Sequence, residues 1–170
     1  QGMLPPTSPT EPSPFFCEQL AARTASLAAD ADPLESPFTG ADALLRRDLD
    51  AAVAELAPSL RDLAVALHGD PETAFEEKRA AQRLADLIAA DGLDAQVGVF
   101  GRETGVAAEF TAGTGGRTVA VLAEYDALPD LGHACGHNII AATGVGAFLA
   151  LHRLTQRHPD AFCGRVRFLG

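Results

Sequence analysis

The run Thr118-Val119-Ala120-Val121-Leu122-Ala123 constrains the chain most. It is apolar, too short for a helix, and bounded by Gly113-Thr114-Gly115-Gly116 before it and Glu124-Tyr125-Asp126 after it. A run of this kind predicts a central strand covered on both faces of a sheet. The loop Gly132-His133-Ala134-Cys135-Gly136-His137-Asn138 follows. From Ile139 to about Arg157, Val145, Phe148, Leu149 and His152 then recur at helical spacing. Strand, loop and helix in that order predict an α/β unit, with Glu124 and Asp126 at the carboxyl end of the strand, where open α/β sheets place their ligand crevices. Asn138 suits the N-cap of a helix starting at Ile139, which puts Cys135 just ahead of a helix N-terminus. Gly144 and Gly146 each cost up to ~1 kcal/mol of helix propensity, so the helix is expected to pack closely on the sheet.

The remaining segments fit the same class. Residues 1–40 are dense in Pro, Ser, Thr and Ala and predict a disordered tail with a short helix around Glu18 to Ala29. Order is expected from Asp42, where Leu49, Val53, Leu56, Leu60, Leu63 and Leu67 form one helical stripe. Pro58 is expected to kink that helix or start a new one. His68 to Thr73 reads as a turn, and a second helix runs from about Phe75 to Ala90, stopped at Asp91-Gly92. Alternation predicts strands at Ala95–Val99 and Val106–Phe110, and Val166–Leu169 begins another. Gly113 to Gly116 reads as a hairpin turn; no Gly-Lys-Ser/Thr follows, which argues against a phosphate loop. The expected fold is α/β, with a central mixed, mainly parallel sheet flanked by helices.

Cys135 and His137 are two apart with glycine between them, so both can turn toward one point from a loop. Thiolate sulfur and imidazole nitrogen are the usual ligands of zinc and neighbouring transition metals. The pair is read as half of a metal site, since catalytic zinc takes three or more protein ligands. The rival readings are a chance cluster in a surface loop and Cys/His nucleophilic catalysis, whose partners are normally distant in sequence. Taken singly, His68 reads as a loop residue, and His152 and His158 as surface or helix C-terminal residues. The net charge of −10 argues against nucleic acid or an anionic membrane as partner. No apolar run reaches the ~20 residues of a membrane span, and residues 1–14 lack the pattern of a signal peptide. Three cysteines without framework spacing suit a reducing compartment, with cytoplasm as the default.

Taken together, His68-x-x-Pro71-Glu72 with Glu76 or Glu77 beyond, Glu124-Tyr125-Asp126-Ala127-Leu128-Pro129 and the Gly132–Asn138 loop resemble a known family. It is the family of co-catalytic metallopeptidases that includes aminoacylase, hippurate hydrolase and p-aminobenzoyl-glutamate hydrolase, peptidase family M-twenty. The resemblance covers His68 to Gly170 and is strongest to the branch holding p-aminobenzoyl-glutamate hydrolase and the aminoacylase-1-like dipeptidases. It implies that residues 41–170 are the N-terminal part of a phosphorylase/hydrolase-like catalytic domain of zinc-peptidase type. It further implies two divalent metal ions, zinc or manganese, with Cys135 and His137 as ligands, Asp126 as the catalytic-site carboxylate and His133 as an additional candidate. Other members carry a ligand histidine where this chain has Glu124, so that role is not transferred. The family's paired glutamates follow the strand that ends here at Gly170, and its dimerising lid domain lies further on. The implied activity is hydrolysis of an amide bond in an N-acyl amino acid, a p-aminobenzoyl-glutamate-like compound or a dipeptide, with the 170-residue chain alone inactive. The implied assembly is a homodimer through the lid. The alternative is a non-catalytic metal-binding or structural α/β module.

Overall fold

The computed structural model describes residues 14–31 and 40–170, in two units divided at Gly40. In the first unit, helix α1 (Pro14–Asp30) buries none of its residues and is longer than the short helix expected there. The rest of the expected disordered tail lies outside the described residues.

The second unit opens with α2 (Ala43–Gly69), whose first turn is capped by Asp42 accepting from the Leu45 N–H at 2.8 Å. Ala52, Leu56, Leu63, Ala64 and Leu67 make its buried face, while Val53 of the predicted stripe stays exposed. The helix continues through Pro58, so of the two expected outcomes no new helix starts there. An interior proline costs ~3 kcal/mol. Here the apolar face on both sides of it packs along one long partner helix, and burying that face outweighs the local loss. Helix α3 (Lys78–Ala90) follows, with Ala80, Ala81, Leu84, Ala85 and Ile88 buried. It starts three residues later than Phe75 because Thr73 to Glu77 are drawn into a turn (the Glu76 N–H donates to the Thr73 carbonyl, 2.9 Å).

The sheet comprises β1 (Ala95–Val97), β2 (Val106–Ala112), β3 (Arg117–Leu122) and β4 (Gly164–Leu169), in the order β1-β2-β4-β3. Helix α4 (His137–Arg157) carries the chain from β3 to its parallel neighbour β4. The sheet is mixed and packs against helices, as expected, but only β3–β4 is parallel; β1–β2 and β2–β4 are antiparallel. The turn 113–116 is not a hairpin: β4 lies between the strands it joins. The turn straddles the start of β4, where a Cβ on Gly116 (φ +81°) would meet the Cys163 carbonyl oxygen at 2.1 Å. Only glycine fits that crossing.

Val106, Ala108 and Phe110 of β2 and Val166 and Phe168 of β4 face the helices and join one core with Val145, Phe148 and Leu149 of α4. Glu109, Arg165 and Arg167 stand on the opposite face, where Arg167 pairs with Glu109 at 3.2 Å. Among the described residues that face is open, and β3 is the sheet's edge with Val119 and Leu122 exposed. The apolar run that predicted a central strand covered on both faces therefore has, within the described residues, neither a second neighbour nor a second cover. No helix among the described residues is long and apolar enough to cross a membrane.

The two glycines of α4 have different neighbours. A Cβ on Gly144 would lie 2.9 Å from the Leu122 carbonyl oxygen and 3.1 Å from Ala123 Cβ, so this turn rests on the end of β3 as predicted. Gly146 instead faces Leu60 of α2.

Candidate active site

Three segments meet at the carboxyl end of β3. The chain leaves the strand through Glu124-Tyr125-Asp126, and the Ala127 N–H donates to the Glu72 carbonyl at 2.7 Å. Leu128 and Gly132 then exchange backbone hydrogen bonds (2.9 and 3.1 Å), closing a turn over Pro129 and Asp130. Gly136, at φ +79°, starts α4, so the helix begins at His137 rather than Ile139. Asn138 is not the cap: it is buried in the first turn, where its side-chain amide donates to the Ala64 carbonyl of α2 at 3.1 Å. Cys135 does sit just ahead of the helix N-terminus, exposed to solvent.

His137 is the best-defined side chain of the site. Its Nδ1 lies 2.7 Å from Asp126 Oδ1 and 3.1 Å from the Asp126 backbone carbonyl. A carbonyl oxygen only accepts, so Nδ1 carries the hydrogen and donates to both. In the neutral imidazole Nε2 then holds the lone pair, and it faces Glu124 Oε2 at 3.3 Å. Two lone pairs facing each other are satisfied by a cation or a proton between them. The donor types fit a metal in their chemistry: a carboxylate-held imidazole, a facing carboxylate and, two residues earlier in the loop, an exposed thiol. Among the described residues, no three His, Cys, Asp or Glu side chains form a metal-holding group on their own.

The other histidines divide. His133 is half-buried, with Nδ1 enclosed and without a hydrogen-bond partner among the described residues. Desolvation, and then the nearby imidazoles of His68 and His137, push it below the usual histidine range. His68, exposed, is thereby drawn into the neighbourhood of the site. His152 is not a surface residue: it is buried against the Phe110 ring with Nδ1 3.2 Å from Asp91. His158 pairs with Asp48 at 2.7 Å.

The sequence left Glu76 and Glu77 as equals; the fold separates them. Glu77 is buried and its Oε1 accepts from the Phe75 N–H at 2.8 Å, whereas Glu76 is exposed. Glu72 is buried too, its carboxylate accepting from the Arg79 and Ala80 N–H groups at the start of α3 (3.3 and 2.8 Å). Tyr125, which carried no signal beyond its place in the motif, donates its hydroxyl to the Thr104 carbonyl. Burial first, and the Glu77 carboxylate second, push its pKa well up, so it remains a protonated donor.

No family model matches the chain. It is 42% identical over 116 residues to Xaa-Arg dipeptidase of Mus musculus, covering 64% of this chain and 27% of that protein. It is 29% identical over 141 residues to a subunit of p-aminobenzoyl-glutamate hydrolase of Escherichia coli, covering 73% and 28%. The fold matches that of a Bacillus subtilis protein described as a dinuclear metal-binding peptidase of the M20 family, with a TM-score of 0.56 and 24% identity, covering 71% of this chain and 35% of that one. The chain thus spans under a third of the length of the curated relatives and about a third of that solved structure. With its three motifs drawn together at the carboxyl end of β3, and with this likeness in both sequence and fold, the chain is similar, over the part it shares with them, to hydrolases of the M20 aminoacylase-like kind.

Proposed function

We propose that this chain carries part of the active site of a metal-dependent amidohydrolase whose substrate is an N-acyl amino acid, a p-aminobenzoyl-glutamate-like compound or a dipeptide. The observation that carries the reading is His137, its Nδ1–H held by Asp126 at 2.7 Å and its Nε2 turned toward Glu124 beside exposed Cys135. Cys135 Sγ and His137 Nε2 are the donors that would hold metal. Divalent ions, a pair of zinc or manganese, supply Lewis acidity at the amide carbonyl and a water of lowered pKa. Asp126 fixes the tautomer and ring angle of His137, so that Nε2 rather than Nδ1 is presented. Glu124, exposed at the strand end, adds negative charge that favours a cation there. Tyr125 locks the strand end to Thr104 and keeps the two flanking carboxylates on the site side. His133, with its Nδ1 enclosed and without a partner among the described residues, is a further candidate donor.

The proton steps of hydrolysis call for a general base, worth ~10²–10⁴-fold in rate. None of the chain's own groups at the site is assigned that role. The test is hydrolysis of N-acyl amino acids, p-aminobenzoyl-glutamate and basic dipeptides by the longest natural protein that contains this chain, with zinc or manganese added. The expected result is metal-dependent turnover that Cys135→Ala and His137→Ala abolish. Turnover unchanged in both variants would refute the site, and metal binding without turnover on any of these amides would favour a non-catalytic module.

A further inference from the structure

The first turn of α4 carries His137, yet no side chain caps it: Gly136 stands at the N-cap, and no acidic residue falls in that turn. Among the described residues, two side chains tie the turn to other elements. His137 reaches back past the end of β3, its Nδ1–H donating to Asp126 Oδ1 at 2.7 Å. Asn138 reaches the other way, its amide donating to the Ala64 carbonyl of α2 at 3.1 Å in a buried hydrogen bond. Ala64 lies inside α2, and a helical carbonyl takes a second hydrogen bond through its other lone pair. The acceptor is therefore a fixed point of backbone rather than a rotatable side chain.

Neighbouring residues on a helix point about 100° apart around its axis. Two hydrogen bonds from adjacent residues, aimed at different elements, fix the roll of the turn as well as its position. Either one alone leaves the turn free to roll about that bond. Packing does not supply the same constraint. Asn138 is 7% exposed, and the buried residues that follow it, Ala141, Ala142 and Gly144, are too small to key the helix against its neighbours. Val145, two turns on, is the first larger apolar side chain buried in α4. An apolar residue shaped like asparagine would fill the same space; the amide adds direction.

We infer that Asn138 is a positioning residue of this site: through the Ala64 carbonyl it sets the roll of the first turn of α4, and so the direction in which His137 presents Nε2. Helix α2 thereby becomes the reference against which the imidazole is aimed, although its Ala64 contributes nothing but a backbone oxygen. That the aimed nitrogen takes a metal ion rests on the proposed hydrolase reading; that Asn138 orders the imidazole does not.

The experiment compares the full chain with Asn138→Leu, which keeps the branched shape and removes the donor. Two quantities are read on the folded protein: exchange of the His137 Nδ1–H by ¹⁵N NMR without metal, and Co²⁺ affinity from the thiolate band. In wild type the Nδ1–H should be protected. In Asn138→Leu it should exchange at least about tenfold faster and Co²⁺ affinity should fall about tenfold, the scale on which partners of a ligand histidine act. A purely space-filling role is satisfied by leucine, so unchanged exchange and unchanged affinity would overturn the inference. Should the variant not fold, wild type decides. On warming, protection of the Asn138 Nδ2–H and of the His137 Nδ1–H should be lost together; an unprotected Nδ2–H, or loss of the two at separate temperatures, would overturn the inference. Ordering of His137 that depends on Asn138 in a chain that binds no Co²⁺ would keep the positioning role and sink the hydrolase reading. Equal Co²⁺ binding by wild type and Asn138→Leu, with His137 equally ordered, would do the reverse.

Discussion

At the scale of single residues, the proposed site depends on a carboxylate that holds an imidazole rather than metal. Asp126 gives His137 Nδ1 two acceptors, one from its side chain and one from its backbone. Asp126→Ala removes only the first, so the ring stays near its place while its hold loosens. Zinc affinity, read by competition with a chromophoric chelator, should drop ~10–100-fold, the usual effect of losing such a partner. An unchanged affinity would mean that His137 is not a ligand. Glu72 offers a second residue-scale test, away from metal. Its buried carboxylate closes two N–H groups at the start of α3, and Glu72→Ala should cost ~1–3 kcal/mol by urea denaturation, because those groups are left unpaired. A loss near zero would show that water replaces the carboxylate.

At the scale of elements, helix α4 gives a contrast between two identical substitutions. Alanine is the better helix former by ~1 kcal/mol. At Gly144, however, its Cβ would press on the Leu122 carbonyl at 2.9 Å, and backbone yields little, so Gly144→Ala should destabilise by ~1–3 kcal/mol. At Gly146 the obstacle is Leu60 Cδ1 at 2.7 Å, the end of a flexible side chain, and Gly146→Ala should cost clearly less. Denaturation midpoints of the two variants check the order; the reverse order would contradict the packing of α4 on β3. The segment ahead of α3 makes a pH prediction. Asp70 accepts from Arg79 at 2.8 and 2.7 Å and from Arg83 at 3.0 Å, and these pairings, Arg79 first, lower its pKa from 3.8 to about 2. A depressed carboxylate contributes stability that is present above its unfolded pKa and lost as pH falls through the folded one. Between pH 3.8 and about 2 wild type should therefore lose stability that Asp70→Asn has already lost. Parallel acid titrations of the two would contradict this, and added salt should shrink the difference.

These elements also mark what the sequence makes legible. Helix α2, helix α4 and the strands announce themselves by period, and the Cys135–His137 pair by its ligand chemistry. The passage of α2 through Pro58 does not, because burial against α4 is a long-range quantity. Asn138 looks like a cap on local grounds and is recruited instead by the Ala64 carbonyl, 74 residues earlier. The insertion of β4 between β2 and β3 is likewise invisible locally, since a glycine turn of four residues serves a hairpin or a straddled strand equally well.

At the scale of the whole molecule, the second unit is, among the described residues, a sheet with helices on the face that carries Phe110 and Phe168, an open face that carries Glu109 and Arg167, and an apolar edge at β3. An unpaired apolar edge invites pairing with another chain. The 170-residue chain should self-associate with rising concentration in sedimentation velocity, and Val119→Lys, at a 55% exposed edge position, should reduce it. A monomer at all concentrations would show that the edge is protected. The central claim is that Cys135 and His137 together hold a divalent ion, and cobalt reports it most directly, because a cobalt–thiolate bond absorbs in the near ultraviolet. Titrating the chain with Co²⁺ should produce that band in wild type and in Cys163→Ser, and neither Cys135→Ser nor His137→Ala should develop it at the same concentrations. A band of equal strength in Cys135→Ser, or no band in wild type, would contradict the account.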